Sequence, residues 1–179
     1  MPNVFFVTQG QAYEFESRDR YIWAPITSKA SANRFYWRNV ELVKKDDVII
    51  HHAGAVNGGI SAISQATTDF YYDSIPKELR HVAEEKIGTV GAWEDEGRRV
   101  DCDYVFLRNK MPIKIFKETI LKFKNYKFAA FNKNGGVNQG YLYELEEPIA
   151  YAMIKEAVNL NPYLKERQFI VDILKTLLL

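Results

Sequence analysis

Short apolar runs, each bounded by polar or glycine-containing turns, predict five strands in this chain. The runs are residues 4–7, 48–52, 60–66, 100–107 and 141–145. Runs of this length with continuous or alternating apolar character are typical of strands buried on at least one face. Gly54, Asn57, Gly58 and Gly59 separate the second run from the third, so residues 48–66 are predicted to form a hairpin.

Four segments have helical periodicity or helix-start signals and are predicted as helices. They are residues 76–86, 113–122, 146–158 and 163–179, and Pro76, Pro112 and Pro148 stand at the start of three of them. Residues 9–34 and 69–99 are otherwise polar with little periodicity and are predicted as loops or short helical pieces. The last helix ends in three uncapped leucines, so we expect it either to pack back on the domain or to lead into a missing downstream domain.

Composition narrows the class of protein. The chain has 179 residues, 24 lysines and arginines against 23 aspartates and glutamates, and a net charge of +1, so any nucleic-acid binding must use a local surface. Cys102 is the single cysteine, which excludes an internal disulfide and is typical of a reducing, cytoplasmic compartment. The N-terminus lacks the features of a signal peptide, and no apolar run is long enough to span a membrane.

The sequence offers little catalytic machinery. His51 and His52 are adjacent in a strand and point to opposite faces, so they cannot chelate one metal together. One cysteine is too few for the zinc site of a base deaminase, and neither a phosphate-binding glycine loop nor a nucleophile elbow is present. A metal-dependent nuclease using Asp73 and residues 84–86 is the least favoured alternative. We therefore expect a protein that is not an enzyme and that needs no cofactor or metal.

Aromatic residues stand in polar, loop-like stretches instead of apolar strands, and arginines interleave with them. Trp23, Trp37 and Trp93 are examples, and Tyr71 and Tyr72 form another aromatic pair. Flat rings next to arginines are suited to stack a planar base beside a phosphate, although a tryptophan taken singly is usually core. Residues 132–140 add a glycine and amide loop that either brings backbone close to a ligand or forms a structural turn.

The order of these segments resembles the EVE branch of the PUA-like superfamily, which is close to the YTH domains. The stretches that carry the resemblance are residues 5–7, 21–25, 43–52, 60–66, 99–104 and 112–113. Asp46 stands where that family usually has a glycine. Residues 93–102 together with 131–142 are similar to the N-terminal specificity domains of McrB-type modification-dependent restriction GTPases. The resemblance covers roughly residues 3–145.

The resemblance implies an α+β fold: a small twisted PUA-like barrel flanked by helices, with a C-terminal helical appendage. Residues 1–158 would be the reader domain, and residues 159–179 a helix leading towards a missing domain. The implied function is recognition of a modified base, N6-methyladenine or a 5-substituted cytosine, flipped from double-stranded DNA into an aromatic pocket. Implied partners are that modified DNA, a downstream AAA+ GTPase domain and a nuclease subunit of a restriction system.

The site residues follow from that expectation. Trp23 is the best match to one wall of the pocket, and Trp93, or Tyr71 with Tyr72, would form a second wall. Asn138 and Gln139 are candidates to read the edge of the base, and the candidate phosphate-binding residues are Arg18, Arg20, Arg34, Arg38, Arg98 and Arg99. The alternatives left open are a reader of RNA or modified RNA and a protein that binds free nucleotides or another small molecule.

Overall fold

A seven-stranded curled sheet forms the centre of the molecule. The computed structural model describes residues 2–26, 35–54, 58–87, 95–124 and 128–178. The strands are β1 (Val4–Thr8), β2 (Tyr21–Pro25), β3 (Val48–His52), β4 (Ile60–Ala66), β5 (Tyr71–Ser74), β6 (Glu96–Met111) and β7 (Leu142–Glu144). Their order in the sheet is β2-β6-β4-β3-β1-β7, and β5 also pairs with β6.

The 16-residue strand β6 gives the sheet its curl. Its first part, residues 97–101, pairs with β2 on one edge and residues 96–99 pair with β5 on the other. Its second part pairs with β4, with a register irregularity near Ile60. One strand therefore belongs to two parts of the sheet, and bulges of this kind bend and twist a strand. The predicted α+β class and curled, barrel-like sheet are confirmed.

The predicted hairpin of residues 48–66 is present as the antiparallel pair β3 and β4. β1 lies beside β3 and runs parallel to it, while β7 pairs antiparallel to the other edge of β1. The connection from β1 to β3 is long, as parallel pairing requires. It contains β2 and two helices, and the helices lie next to the functional features described below.

Six helices surround the sheet in the described part of the chain. They are α1 (Tyr13–Asp19), α2 (Phe35–Arg38), α3 (Lys77–Ile87), α4 (Lys117–Phe123), α5 (Glu147–Leu160) and α6 (Gln168–Thr176). Three 3-10 turns, at Asn39–Leu42, Ile113–Phe116 and Pro162–Glu166, precede β3, α4 and α6. Pro148 lies in the first turn of α5, where its missing N–H costs no hydrogen bond.

The alternating side chains of the strands fill two large cores, one on each face of the sheet, and a smaller core lies beside β2. Phe6 and Ile50 point to the face covered by α5, while their neighbours Phe5 and Ile49 point to the opposite face. Leu164, Ile170 and Ile173 are buried in the same core as α5. The C-terminal segment therefore packs back on the domain, which is one of the two expected outcomes. The division of the chain at residue 158 remains a prediction.

Three elements differ from the sequence-based expectation. The polar composition and weak periodicity of residues 9–34 and 69–99 predict loops or short helical pieces where the structure has β2 and β5. β2 is buried along its whole length, and β5 is exposed and polar. Both are strands because β6 lies between them and supplies their hydrogen-bonding partners. The C-terminal helix is interrupted at Arg167, whose backbone is extended, so a 3-10 turn and α6 replace one continuous helix.

The turn before β3 explains why the resembled family has a glycine there. Asp46 has a φ of 75°, in the left-handed region that favours glycine. Its amide donates to the carbonyl oxygen of Ala66 at 2.9 Å, which ties the turn to the end of β4. Aspartate is one of the residues that tolerate this region, so the turn is kept without the glycine.

Candidate functional site

A cavity of about 480 Å³ lies where α2, the segment 128–139 and β7 meet. This volume is within the range of about 300–1,000 Å³ that is typical of small-molecule sites. The lining combines four aromatic rings, one alanine and two carboxamides, from Phe35, Tyr36, Phe128, Ala129, Asn138, Gln139 and Tyr143.

The aromatic walls are packed against one another with tilted and edge-on rings. The ring centroid of Phe35 lies 4.7 Å from that of Phe128, 5.2 Å from that of Tyr36 and 6.1 Å from that of Tyr143. Such arrangements are the favourable ones for aromatic pairs. Tyr143 is 2% exposed and forms the deep end, while Phe128 is 62% exposed and stands at the opening.

Tyr143 is fixed by the chain that precedes it. Its hydroxyl donates a hydrogen bond to the carbonyl oxygen of Gln139 at 3.2 Å. A Cβ on Gly140 would lie 1.8 Å from the Tyr143 Oη and 3.2 Å from Tyr36 Cδ1. Only a glycine at this position lets the backbone pass that close to the two tyrosines. Burial raises the pKa of Tyr143 to about 12, so its hydroxyl stays protonated at neutral pH.

The two carboxamides come from the end of the glycine and amide loop. Asn138 is anchored through its backbone amide to the carbonyl oxygen of Ala130 at 2.8 Å and through Nδ2 to that of Ala129 at 2.9 Å. A carboxamide offers two donor hydrogens and an acceptor oxygen, more than this one side-chain bond requires. Gln139 is exposed at the opening. Both expected positions therefore face the cavity.

The same loop is also a structural turn. Asn132 Oδ1 accepts hydrogen bonds from the backbone amides of Asn134 at 2.9 Å and Gly136 at 3.1 Å. Gly135 has a φ of 80°, which glycine adopts without strain. Phe131 and Val137 pair across the turn in an isolated β-bridge. The turn is closed by its own residues, and it presents Asn138 and Gln139 at one end.

A second polar region is sealed inside the sheet. Glu16, on α1, is fully buried. Its carboxylate accepts hydrogen bonds from the Tyr141 hydroxyl at 2.5 Å, from Gln9 Nε2 at 2.6 Å and from the Trp23 backbone amide at 3.0 Å. Burial raises the pKa of Glu16 to about 7, although the three donors act in the opposite direction.

This network continues across β3 and β4. Because Gln9 Nε2 donates to Glu16, its amide oxygen accepts from His51 Nδ1 at 2.7 Å. His51 Nε2 is then the acceptor for the Ser64 hydroxyl at 2.7 Å. Burial lowers the pKa of His51 to about 3, so the ring is neutral, as this pattern requires. We call the set Gln9, Glu16, His51, Ser64 and Tyr141 the buried network.

Trp23, Tyr71 and Tyr72, which were expected to form the pocket, are not among the described residues that line the cavity. Trp23 is 2% exposed and packs in a small core with Tyr21, Ile75 and Leu79. Tyr71 and Tyr72 are adjacent exposed residues of β5, and the Tyr71 hydroxyl donates to Asp101. Trp93 lies outside the described residues.

Four of the candidate phosphate-binding arginines are paired with carboxylates. The pairs are Arg18 with Asp19 at 2.9 Å, Arg20 with Asp103 at 2.7 Å, Arg98 with Glu41 at 2.5 Å and Arg99 with Asp101 at 2.9 Å. Arg98 is in addition only 3% exposed. Arg38 is exposed at the end of α2, two residues after the cavity residue Tyr36. Arg34 lies outside the described residues.

The walls that the sequence did not single out as pocket residues are Phe35, Tyr36, Phe128 and Tyr143. Phe35 and Tyr36 belong to the aromatic stretch around Trp37, so that stretch was the available signal. Phe128 comes from far along the chain, and Tyr143 stands in an apolar strand where its pattern indicates core. Only the fold brings these residues to one place.

The described residues contain neither a cluster of metal ligands nor a membrane-spanning helix. Across residues 2–26, 35–54, 58–87, 95–124 and 128–178, no three histidine, cysteine, aspartate or glutamate side chains are grouped to hold a metal ion. Within the same ranges, none of the helices has the length and apolarity needed to cross a membrane.

Comparison with known proteins gives a likeness in structure without a likeness in sequence. No protein-family model matches the chain, and no curated protein matches it. A hypothetical protein from Leishmania major superimposes with a TM-score of 0.54 and 6% identity, covering 89% of this chain and 96% of that one. Human THYN1, in complex with 5-methylcytosine containing DNA, has a TM-score of 0.52 and 10% identity, covering 87% and 97%.

The N-terminal domain of Staphylothermus marinus McrB covers 90% of this chain and 95% of its own length, with 13% identity and a TM-score of 0.47. The likeness to THYN1 and to the Leishmania protein establishes the fold. The chain has the α+β, PUA-like fold that its sequence resembles, with a curled sheet flanked by helices and a C-terminal helix packed against it.

Proposed function

We propose that this chain reads DNA by holding one modified base in the aromatic cavity. The observation that carries the proposal is the cavity itself: four aromatic rings around about 480 Å³, with the carboxamides of Asn138 and Gln139 at its opening. Aromatic faces stack on any planar base, and carboxamides supply the donors and acceptors that distinguish base edges. The protein acts by binding, without a catalytic step.

A base inside a duplex must leave its stack to enter such a cavity. Unstacking and unpairing cost a few kcal/mol, and stacking on protein aromatics returns about 1–3 kcal/mol per base. Phe128 and Tyr36 both belong to the lining of the cavity, so their rings would contact a base that enters it. Asn138, held by Ala129 and Ala130, would then meet the edge of the base without first losing conformational freedom.

The kind of modification is suggested by the fold. Human THYN1, which shares it, is described in complex with 5-methylcytosine containing DNA. A 5-substituted cytosine is therefore the first candidate ligand, and N6-methyladenine, from the resemblance to YTH domains, is the second. A role in a cytoplasmic restriction system, beside an AAA+ GTPase domain and a nuclease subunit, remains part of the proposal. So do contributions from Trp93 and Arg34.

The test is binding of the full chain to duplexes that differ in one base: unmodified, 5-methylcytosine, 5-hydroxymethylcytosine or N6-methyladenine. We expect at least tenfold preference for one modification, which corresponds to about 1.4 kcal/mol. Phe128→Ala removes an exposed wall ring without opening the core, and it should weaken binding of the preferred duplex by about fivefold to 150-fold, the equivalent of one stacked base.

Tyr72→Ala is the matched control because Tyr72 is 53% exposed and lies on β5, away from the cavity lining. It should leave the preference unchanged. If Tyr72→Ala removes the preference and Phe128→Ala does not, the base is read at β5 and not in the cavity. Stronger binding to an RNA oligonucleotide of the same sequence, or equally tight binding of a free nucleoside, would overturn the DNA assignment.

A further inference from the structure

The positive charge of this protein is concentrated in one segment. Eight of the 24 lysines and arginines, but only Glu118 among the 23 aspartates and glutamates, lie between residues 104 and 143. That segment therefore has a formal charge of +7 and the rest of the chain −6, which together give the net +1. The near-neutral total hides a strong separation of charge, and local fields of this kind attract polyanions.

Four lysines of this segment lie on the surface, on α4 or next to it. Lys114 stands in the 3-10 turn before α4, Lys117 and Lys122 on α4, and Lys133 in the turn of residues 132–136, and all four are exposed. We call these four residues the lysine surface. A lysine on the surface presents its charge to solvent at the end of a flexible stem, which is suited to contact phosphate groups.

The lysine surface is joined to the cavity by the glycine and amide loop. A Cβ on Gly135 would lie 3.3 Å from Lys117 Cγ and 3.7 Å from Leu121 Cγ, so the tip of the loop rests on α4. Asn138, at the cavity, follows Gly135 by three residues. Three residues span at most about 10 Å, which is about three base-pair steps of 3.4 Å along DNA.

Four of the six arginines expected from the sequence to bind phosphate are less suited to it. Arg18, Arg20 and Arg99 are paired with aspartates, and Arg98 is paired with Glu41 and almost fully buried. A guanidinium that already holds a carboxylate must give up that partner before it can neutralise a phosphate. In the lysine surface the surrounding sequence supplies one acidic residue only, Glu118.

We propose that Lys114, Lys117, Lys122 and Lys133 bind the sugar–phosphate backbone of the DNA whose base enters the cavity. This rests on the proposed function, and it adds the face and the direction from which the duplex approaches. The backbone would run over α4 and the tip of the loop, and the flipped nucleotide would lie at the end of the loop that carries Asn138. Arg38, exposed at the end of α2 two residues after the cavity residue Tyr36, would contact the same strand.

The salt dependence of binding tests this surface directly. Each phosphate contact adds about 0.9 to the slope of log affinity against log salt for duplex DNA. Replacement of all four lysines by glutamine should reduce that slope by about 3 to 4 and weaken binding at 0.1 M salt by about tenfold or more. The ratio of affinities for modified and unmodified duplexes should not change, because no lysine of this set lines the cavity.

The matched control replaces Lys44, Lys45, Lys77 and Lys165 by glutamine, a change of equal charge at exposed lysines in the net-negative remainder of the chain. The slope of log affinity against log salt for this control should equal that of the protein without substitutions. Equal losses of slope in the two variants would mean that net charge, and not this surface, sets the affinity, and the proposal would be wrong. Circular dichroism melting of both variants confirms that they fold.

The outcomes separate this proposal from the proposed function. An intact modified-base preference with an unchanged salt slope in the lysine variant would overturn the surface and leave the cavity. A smaller slope of log affinity against log salt in the lysine variant, in a protein that shows no base preference, would overturn the cavity proposal and leave a surface that binds the DNA backbone.

Ile115 and Leu121 are exposed among these lysines. Binding of the protein to vesicles containing phosphatidylserine, lost in the lysine variant while the DNA slope stays unchanged, would assign the surface to a membrane instead.

Discussion

The buried network and the aromatic cavity are built from the same kinds of side chain but serve different purposes. Both combine tyrosines with carboxamide or carboxylate groups, and the two tyrosines Tyr141 and Tyr143 are separated by one residue. In the network each polar group has its partner inside the protein, as Glu16 has with Tyr141 and Gln9. In the cavity the carboxamides reach an opening, and their capacity exceeds the bonds made within the chain.

This difference shows how to separate a polar group that specifies the fold from one that serves a ligand. A fully satisfied polar group in the core makes one arrangement favourable and penalises the others. A polar group at the opening of an aromatic cavity is held in place by only part of its bonding capacity. The type of residue does not distinguish these cases, whereas the number and position of its partners do.

Removal of the Glu16 carboxylate should have the largest effect on stability. Glu16→Ala leaves the Tyr141 hydroxyl and the Gln9 amide without their acceptor inside the core. A buried donor without a partner costs about 1–3 kcal/mol, so the free energy of unfolding should fall by about 3 kcal/mol or more. Urea denaturation measures it. Glu14→Ala, at an exposed position of the same helix, should change it by less than about 0.5 kcal/mol. Equal, small changes would show that the network does not support the fold.

The pH dependence of stability should also report on Glu16. Because its folded pKa is raised from 4.5 to about 7, the folded state binds a proton that the unfolded state has released between those values. The resulting stabilisation is complete below pH 4.5 and is lost as the pH rises to about 7. The two values differ by an amount equivalent to about 3 kcal/mol.

Chemical denaturation from pH 4 to 8 measures this term when the protein is compared with Glu16→Gln. The difference in unfolding free energy between the two should fall by about 3 kcal/mol across that range. His51, whose folded pKa is lowered to about 3, acts oppositely, since its stabilisation is present above about pH 6.5 and lost in acid. It remains in both proteins and cancels in the comparison. A constant difference across the range would show that Glu16 does not titrate there.

Substitution of Tyr141 and of Tyr143 tests the comparison most directly, although the expected effects are the smallest. Tyr141→Phe removes the donor to the buried carboxylate and should lower the free energy of unfolding by about 1.5–3 kcal/mol, with unchanged modified-base preference. Tyr143→Phe removes the bond to the Gln139 carbonyl and should cost about 1 kcal/mol or less in stability, while it weakens binding of the preferred duplex by about fivefold. Thermal melting and duplex titration of both variants measure the two effects. Weaker duplex binding by Tyr141→Phe, with the larger loss of stability in Tyr143→Phe, would mean that the roles of the buried network and the cavity have been exchanged.

The sequence predicts the elements whose hydrophobic pattern is local. β1, β3, β4 and the amphipathic helices follow from their own apolar runs, and the hairpin follows from its glycines. β2 and β5 do not, because they are strands through their pairing with β6, which lies more than 70 residues beyond β2. A strand buried on both faces and a strand exposed on the surface have no alternation to detect.

The cavity shows the same limit at the level of single residues. Asn138 and Gln139 could be proposed from their loop, and they do line the cavity. Trp23 could be proposed as a wall because tryptophans stack on bases, yet its side chain is packed under β6, where a Cβ on Gly97 would lie 2.2 Å from Trp23 Cζ2. A period of two would place Tyr141 and Tyr143 on the same face of a strand. Tyr141 instead lies in a bend just before β7, so the sequence pattern does not show that the two tyrosines belong to different regions.

Gly140 joins the two regions, with Gln139 of the cavity on one side and Tyr141 of the network on the other. A methyl group there would displace the Tyr143 ring, and through Gln139 it would change the shape of the opening. Evolution can therefore vary the rim residues and the ligand they select more freely than it can vary this one position. Among proteins with this fold, a residue other than glycine at the equivalent position would identify those whose pocket has a different shape and binds a different ligand.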